Sequence, residues 1–225
     1  MCALRRSPRP PRVPAGLTTI SAWPPDDGAE LSGVVLGGDF VDQQREDLRV
    51  EGSRITNAAL TGSVLHRLHL TDVVVENVDL SGADLDESSF QRVRFRDCRL
   101  SAVVLTRCRL VDVTFTDCRL DQANARMSVA ASVTFEDVDL READFYGAVL
   151  EHTDFFDCDL TASQFTQART EHVRLHGSDL TGLQGASHLG GSTIDSSQVL
   201  PVALGVLAAL DIRVDDDRAA EADGR

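Results

Sequence analysis

A solenoid, in which the chain winds into stacked coils, is the fold class this sequence predicts, and two observations predict it. From Val93 to Leu120 one five-residue unit recurs six times: Val93-Arg-Phe95, Cys98-Arg-Leu100, Val103-Val-Leu105, Cys108-Arg-Leu110, Val113-Thr-Phe115 and Cys118-Arg-Leu120. A bulky apolar residue falls at every multiple of five, and a small one sits two positions before it. Neither the helical period of 3.6 nor the strand period of 2 produces that spacing. The second observation is reach: the same frame runs from Val50 to Leu120, resumes from Phe135 to Phe165, and returns at Leu175 and Leu180 after a polar Thr170. Internal repetition at a fixed period marks stacked structural units.

The elements follow in order. Residues 1–25 hold six of the seven prolines together with Arg5, Arg6, Arg9 and Arg12. Proline removes donors and the segment has little to bury, so it reads as a disordered basic leader. Trp23 is a candidate to pack on the first coil. From Leu31 the frame starts unevenly. Gly33/Val35 and Gly38/Phe40 fit and Gln43/Arg45 does not, which predicts a loop over 42–47. Over 122–132 the expected bulky positions are Ala125 and Ala130. That stretch reads equally as an underfilled coil, with Met127 folded inward, or as a bulged loop. The five-residue pattern ends after Gly185-Ala186. Asp195–Leu210 then reads as a helix, with an Asp195/Gln198 capping pair or a later start that brings Pro201 into the first turn. Ile212 and Val214 are candidates for a short strand, and 215–225 is a polar, disordered tail. The division is therefore a leader at 1–25, repeats at 26–186, helix and strand at 187–214, and a tail.

Ala83-Asp84-Leu85 and Ala143-Asp144-Phe145 match the A-(D/N)-L-x-x consensus of the pentapeptide-repeat family, and the chain resembles that family over about 150 residues. The resemblance implies an all-β fold, a right-handed quadrilateral parallel β-helix, with one pentapeptide per side and about 20 residues per coil. Coils would stack at the inter-strand spacing of about 4.8 Å.

Composition narrows the function. The net charge is −14 and all 22 basic residues are arginine. An acidic chain lacks the footprint for direct nucleic-acid binding, and basic protein surfaces are the more natural partners. No stretch approaches the roughly 18–20 apolar residues that span a bilayer. Cys98, Cys108, Cys118 and Cys158 fall at the small inward position, where free cysteine behaves as a buried hydrophobe, which points to a reduced, cytoplasmic setting. Phosphate loops, CxxC and HExxH are all missing from the sequence. His152 and His172 stack at a 20-residue offset, but two imidazoles without a third ligand do not make a metal site. No enzyme, cofactor or metal is expected.

Sorting outward residues by 20 exposes two neighbouring columns: Asn57, Asn77, Asp97, Asp117, Asp137, Asp157 and Asp79, Arg99, Arg119, Asp139, Asp159, Asp179. Turn chemistry favours Asp and Asn at corners and accounts for the first. The second loses its arginines toward the C-terminus, leaving acid beside acid, with Glu136, Glu142 and Asp154 close by. Like charges about 5 Å apart repel by roughly 0.8 kcal/mol even in water. That crowding, with Tyr146 and Phe156 as outward aromatics, makes this edge the candidate surface for a basic protein partner. Within the family, the resemblance extends to quinolone-resistance members, acidic rods that dimerise at the C-terminal end, mimic DNA and occupy the DNA site of gyrase. Gyrase is the partner so implied. A scaffold binding some other cytoplasmic partner through 122–132 or Tyr146/Phe156 is the alternative. Val199, Leu200, Leu204 and Leu207 are the candidate dimerisation residues, since a helix apolar on several sides needs a second partner besides the solenoid end.

Overall fold

The computed structural model describes residues 7–24 and 26–213. Its strands are β1 (Thr18–Ile20), β2 (Glu30–Ser32), β3 (Val34–Asp39), β4 (Gln44–Glu46), β5 (Arg49–Glu51), β6 (Arg54–Ala59) and β7 (Val64–His66). The chain continues with β8 (His69–Asp79), β9 (Ser89–Arg96), β10 (Arg109–Thr116), β11 (Val129–Glu136), β12 (Val149–Phe156) and β13 (Arg169–Glu171). An α-helix, α1 (Val199–Ala209), follows a 3-10 turn at Ser196–Gln198. Every strand pairing among the described residues is parallel. Along most of the rod each residue meets its counterpart four pentapeptides on, as in Leu110↔Ala130 and Phe115↔Phe135. The result is a parallel β-solenoid of about eight turns.

Why these residues wind this way is visible at the corners. At every fifth position from Asp42 to Gly182 the backbone is left-handed, with φ near +55° at non-glycine corners such as Asp117 (53°) and Asp137 (54°). This conformation costs an L-residue about 1–2 kcal/mol, least for Asn and Asp. The ladder offsets it: the corner amide of Asp117 donates to Glu136 O at 3.2 Å, and that of Asp137 to Phe156 O at 3.1 Å. Such a turn once per pentapeptide makes one side of a square, and the fourth pentapeptide closes the coil.

Inside, the multiples of five stack in files. Phe95, Phe115, Phe135 and Phe155 form a column of parallel rings with centroids 4.7, 4.9 and 4.9 Å apart. The small positions fill the remaining space: Val93, Cys98, Val103, Cys108, Val113 and Cys118 are all buried. The four cysteines within the described residues are free thiols. Burial pushes the Cys108 and Cys158 thiols up to about 12, because a thiolate would lose its water without gaining a counter-charge.

Several expectations are corrected. The leader is not disordered where it is described: Thr18–Ile20 pairs with Val34–Leu36 as an outer strand, and Arg9 and Arg12 bond to the rod. Trp23 packs on Phe40 at 5.2 Å between ring centroids. Residues 42–47 form no loop; Gln44–Glu46 pairs with Val64–His66, because a polar side of the coil still satisfies its backbone through the ladder. The first coil is one residue short, Leu36 pairing with Ile55 where the regular offset would bring Thr56. Val34 and Leu36 therefore point inward in place of Val35, and an irregularity between Leu36 and Gly38 restores the frame.

Residues 122–132 stay in register as an ordinary coil, with Ala123, Ala125 and Ala130 inward and Met127 exposed. Met127 occupies a left-handed corner, which faces outward. A void of about 20 Å³ lies among Leu110, Phe115, Ala125, Ala130 and Phe145, and one of the same size lies among the bulkier residues from Leu36 to Phe95.

At the C-terminal end the Asp195/Gln198 capping box forms, with Asp195 N donating to Gln198 Oε1 at 2.8 Å. Gln198 is buried and donates to Ser178 O at 2.6 Å and to Leu175 O, so its amide ties the helix start to the last coils. Val202 and Val206 pack on the core. Ile212 is not in a strand, and Val214 and the 215–225 tail lie outside the described residues. No helix among the described residues is long and apolar enough to cross a membrane.

Candidate functional site

The acidic edge divides once its side chains are in place. Asp117, Asp137 and Asp157 sit at left-handed corners one coil apart, each about 4.8 Å from the next. Among the described residues no ion pair reaches these three, or Glu136 beside them, whereas Asp97 has Arg96 at 3.4 Å. A shallow groove of about 440 Å³ runs along Asp97, Arg99, Asp117, Arg119, Asp137 and Asp139.

The second column is less acidic than its sequence suggests. Asp139 accepts three hydrogen bonds from Arg141, from Nε to Oδ1 at 2.8 Å, from Nη2 to Oδ2 at 2.7 Å and from the backbone N–H to Oδ1 at 3.3 Å, and Arg119 approaches it at 3.9 Å. The Arg141 guanidinium holds the Asp139 carboxyl below its ordinary value. Arg141 also reaches Asp159 at 3.7 Å. In addition, Asp79, Asp159 and Asp179 each accept the backbone N–H two residues on, at 2.9, 3.0 and 2.9 Å. These are Asx turns, and the bonds from Thr181 lower the Asp179 carboxyl. Turn capping thus explains the acids of the second column; the left-handed corner favours Asp and Asn in the first but does not require them, since Arg92, Ala102 and Met127 take the same conformation.

Three more candidates have partners within the chain. Asp154 is a buried partner of Arg174, which donates to both its oxygens, so it is not a surface charge. Tyr146 lies under the Arg126 guanidinium, 4.3 Å from ring to Cζ, and Phe156 under that of Arg174 at 4.7 Å. Both aromatics are half-covered by cations of their own chain. Glu142 is exposed and accepts from Gln122 Nε2 at 3.1 Å. The pairing of Asp154 with Arg174 was legible as a 20-residue offset. Arg141 was not, because it turns back on a residue of its own coil.

His152 and His172 do stack, their ring centroids 4.7 Å apart. Among the described residues, no group of three or more His, Cys, Asp or Glu is gathered as a metal site. On α1, Val199, Leu200 and Leu204 are exposed and Leu207 is half-buried. Between the helix and the last coil lies a groove of about 850 Å³ lined by Leu183, Leu200, Leu204 and Ala208.

A rod of this construction, with side-chain files inside and rewritable corners outside, defines a β-solenoid of pentapeptide units. Family models agree: one described as a pentapeptide repeat region matches residues 48–125 and 68–145, and one described as pentapeptide repeats (8 copies) matches 134–169. The chain belongs to the pentapeptide repeat family. No curated protein matches it at a significant level. Solved structures with a similar fold include HetL, a pentapeptide repeat protein involved in heterocyst differentiation regulation from the cyanobacterium Nostoc, at 15% identity over 74% of this chain and 87% of that one, TM-score 0.38. A trypsin-treated variant of QnrB1, a plasmid-mediated fluoroquinolone resistance protein, has 21% identity over 88% and 94%, TM-score 0.38. A pentapeptide repeat protein of the Arabidopsis thaliana thylakoid lumen has 18% identity over 50% and 65%, TM-score 0.27. At these identities the likeness is one of fold.

Proposed function

We propose that this chain is a non-enzymatic protein-binding rod that presents the corner column Asp117–Asp137–Asp157, with Glu136 and the adjoining groove, to a basic surface on a protein partner. The observation that carries the reading is the column itself: three carboxylates, one every coil on a rigid backbone, with no counter-ion among the described residues. That spacing, about 4.8 Å, is of the same order as the one charge per 3.4 Å along a DNA strand. A surface evolved to grip a phosphate backbone would meet a comparable line of charge. DNA gyrase is the specific partner that the family resemblance implies, with quinolone protection as the consequence. A cytoplasmic location goes with that role.

A gyrase supercoiling assay tests it. The native chain at micromolar concentration should inhibit supercoiling or relieve quinolone inhibition, and an Asp117→Asn/Asp137→Asn/Asp157→Asn variant should lose the effect at least tenfold. No effect of the native chain at that concentration would sink gyrase as the partner. The exposed Leu200 and Leu204 of α1 support a homodimer through the C-terminal end, which would double the length of the charged line.

A further inference from the structure

The leader crosses a different corner column, Gly52–Asp72–Arg92–Asp112, and its fit there is specific. Arg9 binds Asp112 three times over: its N–H donates to Oδ1 at 3.2 Å, Nε donates to Oδ2 at 2.7 Å, and Nη2 lies 2.6 Å from Oδ2. Among the described residues those are the hydrogen bonds and ion pair of the Asp112 side chain, which is only 1% exposed, whereas the Arg9 side chain is 53% exposed. Arg12 N donates to Asp72 Oδ1 at 2.9 Å. One coil on from Asp72, Arg92 donates to both its carboxylate oxygens, at 2.7 and 2.6 Å, which leaves Asp112 for Arg9. Pro14 packs over Gly52, where a Cβ would meet Pro14 Cδ in ordinary van der Waals contact at 3.4 Å.

The spacing also matches. Asp72 and Asp112 are two coils apart, about 9.6 Å at the inter-strand distance. Arg9 and Arg12 are three residues apart, which in polyproline II conformation is about 9.3 Å. Pro8, Pro10, Pro11 and Pro14 favour that extended form before any contact is made, so little chain entropy is lost on docking.

We propose that this column is a receptor site for an extended arginine–proline peptide, and that residues 8–14 of the chain fill it in cis. The site reads a guanidinium at Asp112, a backbone N–H at Asp72 and a proline ring over Gly52. The tether from Pro14 to β1 is only a few residues, which sets a millimolar effective concentration that any free peptide must overcome. This inference does not depend on the gyrase reading.

The test is a fluorescent peptide Ser-Pro-Arg-Pro-Pro-Arg-Val-Pro, titrated by anisotropy at low salt onto three full-length chains: native, Arg9→Glu, and Arg9→Glu/Asp112→Asn. Arg9→Glu replaces a half-exposed side chain and frees Asp112. The peptide should bind that chain at least tenfold tighter than the native one, and the added Asp112→Asn should abolish the gain. Equal affinity for the native and Arg9→Glu chains would overturn the proposal, as would a gain that survives Asp112→Asn. A second readout needs no free peptide. Trypsin does not cut the Arg9–Pro10 bond, so cleavage after Arg12 reports an open leader. It should be about tenfold faster in Arg9→Glu than in the native chain, and equal rates would also overturn the proposal.

Discussion

Phe95 and Phe115 stack face to face, their centroids 4.7 Å apart and their planes 7° from parallel. Each ring is fully buried, and the next in the file repeats the relationship. Phe115→Ala should therefore remove contacts on both sides at once and destabilise the rod by about 3–5 kcal/mol. Phe115→Leu, which refills most of the space, should cost less than half of that. Denaturant titration of both variants checks the order.

The void beside Ala125 and Ala130 makes the opposite prediction. Leu110 and Leu150 occupy the equivalent position one coil either side of Ala130, so the file is built for a larger side chain there. Ala130→Val should stabilise by about 0.5–1 kcal/mol from added burial. A loss of stability in the same titration would show that the neighbouring rings have already relaxed into the space.

Acid should weaken the rod in a defined window. Arg92 holds the Asp72 carboxyl below its ordinary value, and Arg141 does the same for Asp139. A carboxylate with a lowered folded value contributes stability that is complete above its unfolded pKa, near 3.9, and is lost as pH falls through the folded value. Stability should stay level from about pH 7 to 5 and decline below about pH 4. Asp72→Asn should lower the plateau and flatten the decline, as measured by thermal melts across that range.

For the C-terminal helix, the proposed dimer sets the expectation: the native chain should give a dimer mass by light scattering, and Leu200→Asp/Leu204→Asp a monomer mass. Both side chains are exposed in the single chain, at 66% and 50%, so the variant should keep the native circular dichroism. An unchanged dimer mass would remove α1 from the interface.

The sequence carried the interior of this rod and much less of its exterior, for a physical reason. An inward file is selected by volume and polarity, so Phe115 or Cys118 announces its position by type alone. An outward residue is chosen by its corner, its cap or its partner, and these coincide in letter. Asp137 at a left-handed corner, Asp159 capping Thr161 and Asp154 buried against Arg174 are all aspartates in a row of aspartates. Only coordinates separate them. The leader misled in the same way. Proline and arginine without apolar residues read as unfolded because the segment cannot bury a core of its own, yet Asp112 supplies what it lacks. The loop expected at 42–47 failed because the ladder satisfies a polar side as well as an apolar one.

The contacts from Arg9 to Asp112 and from Arg12 to Asp72 have one more consequence. Stacked coils interact with their immediate neighbours, so a solenoid of this type tolerates gain or loss of a whole unit. Excising one full coil between Leu140 and Leu160 would shorten the rod and leave the leader undisturbed. Excising one between Asp72 and Asp112 would bring the two carboxylates to half the distance that Arg9 and Arg12 span. The leader is a gauge of coil number, and it fixes the length of one stretch of a molecule whose architecture otherwise leaves length free.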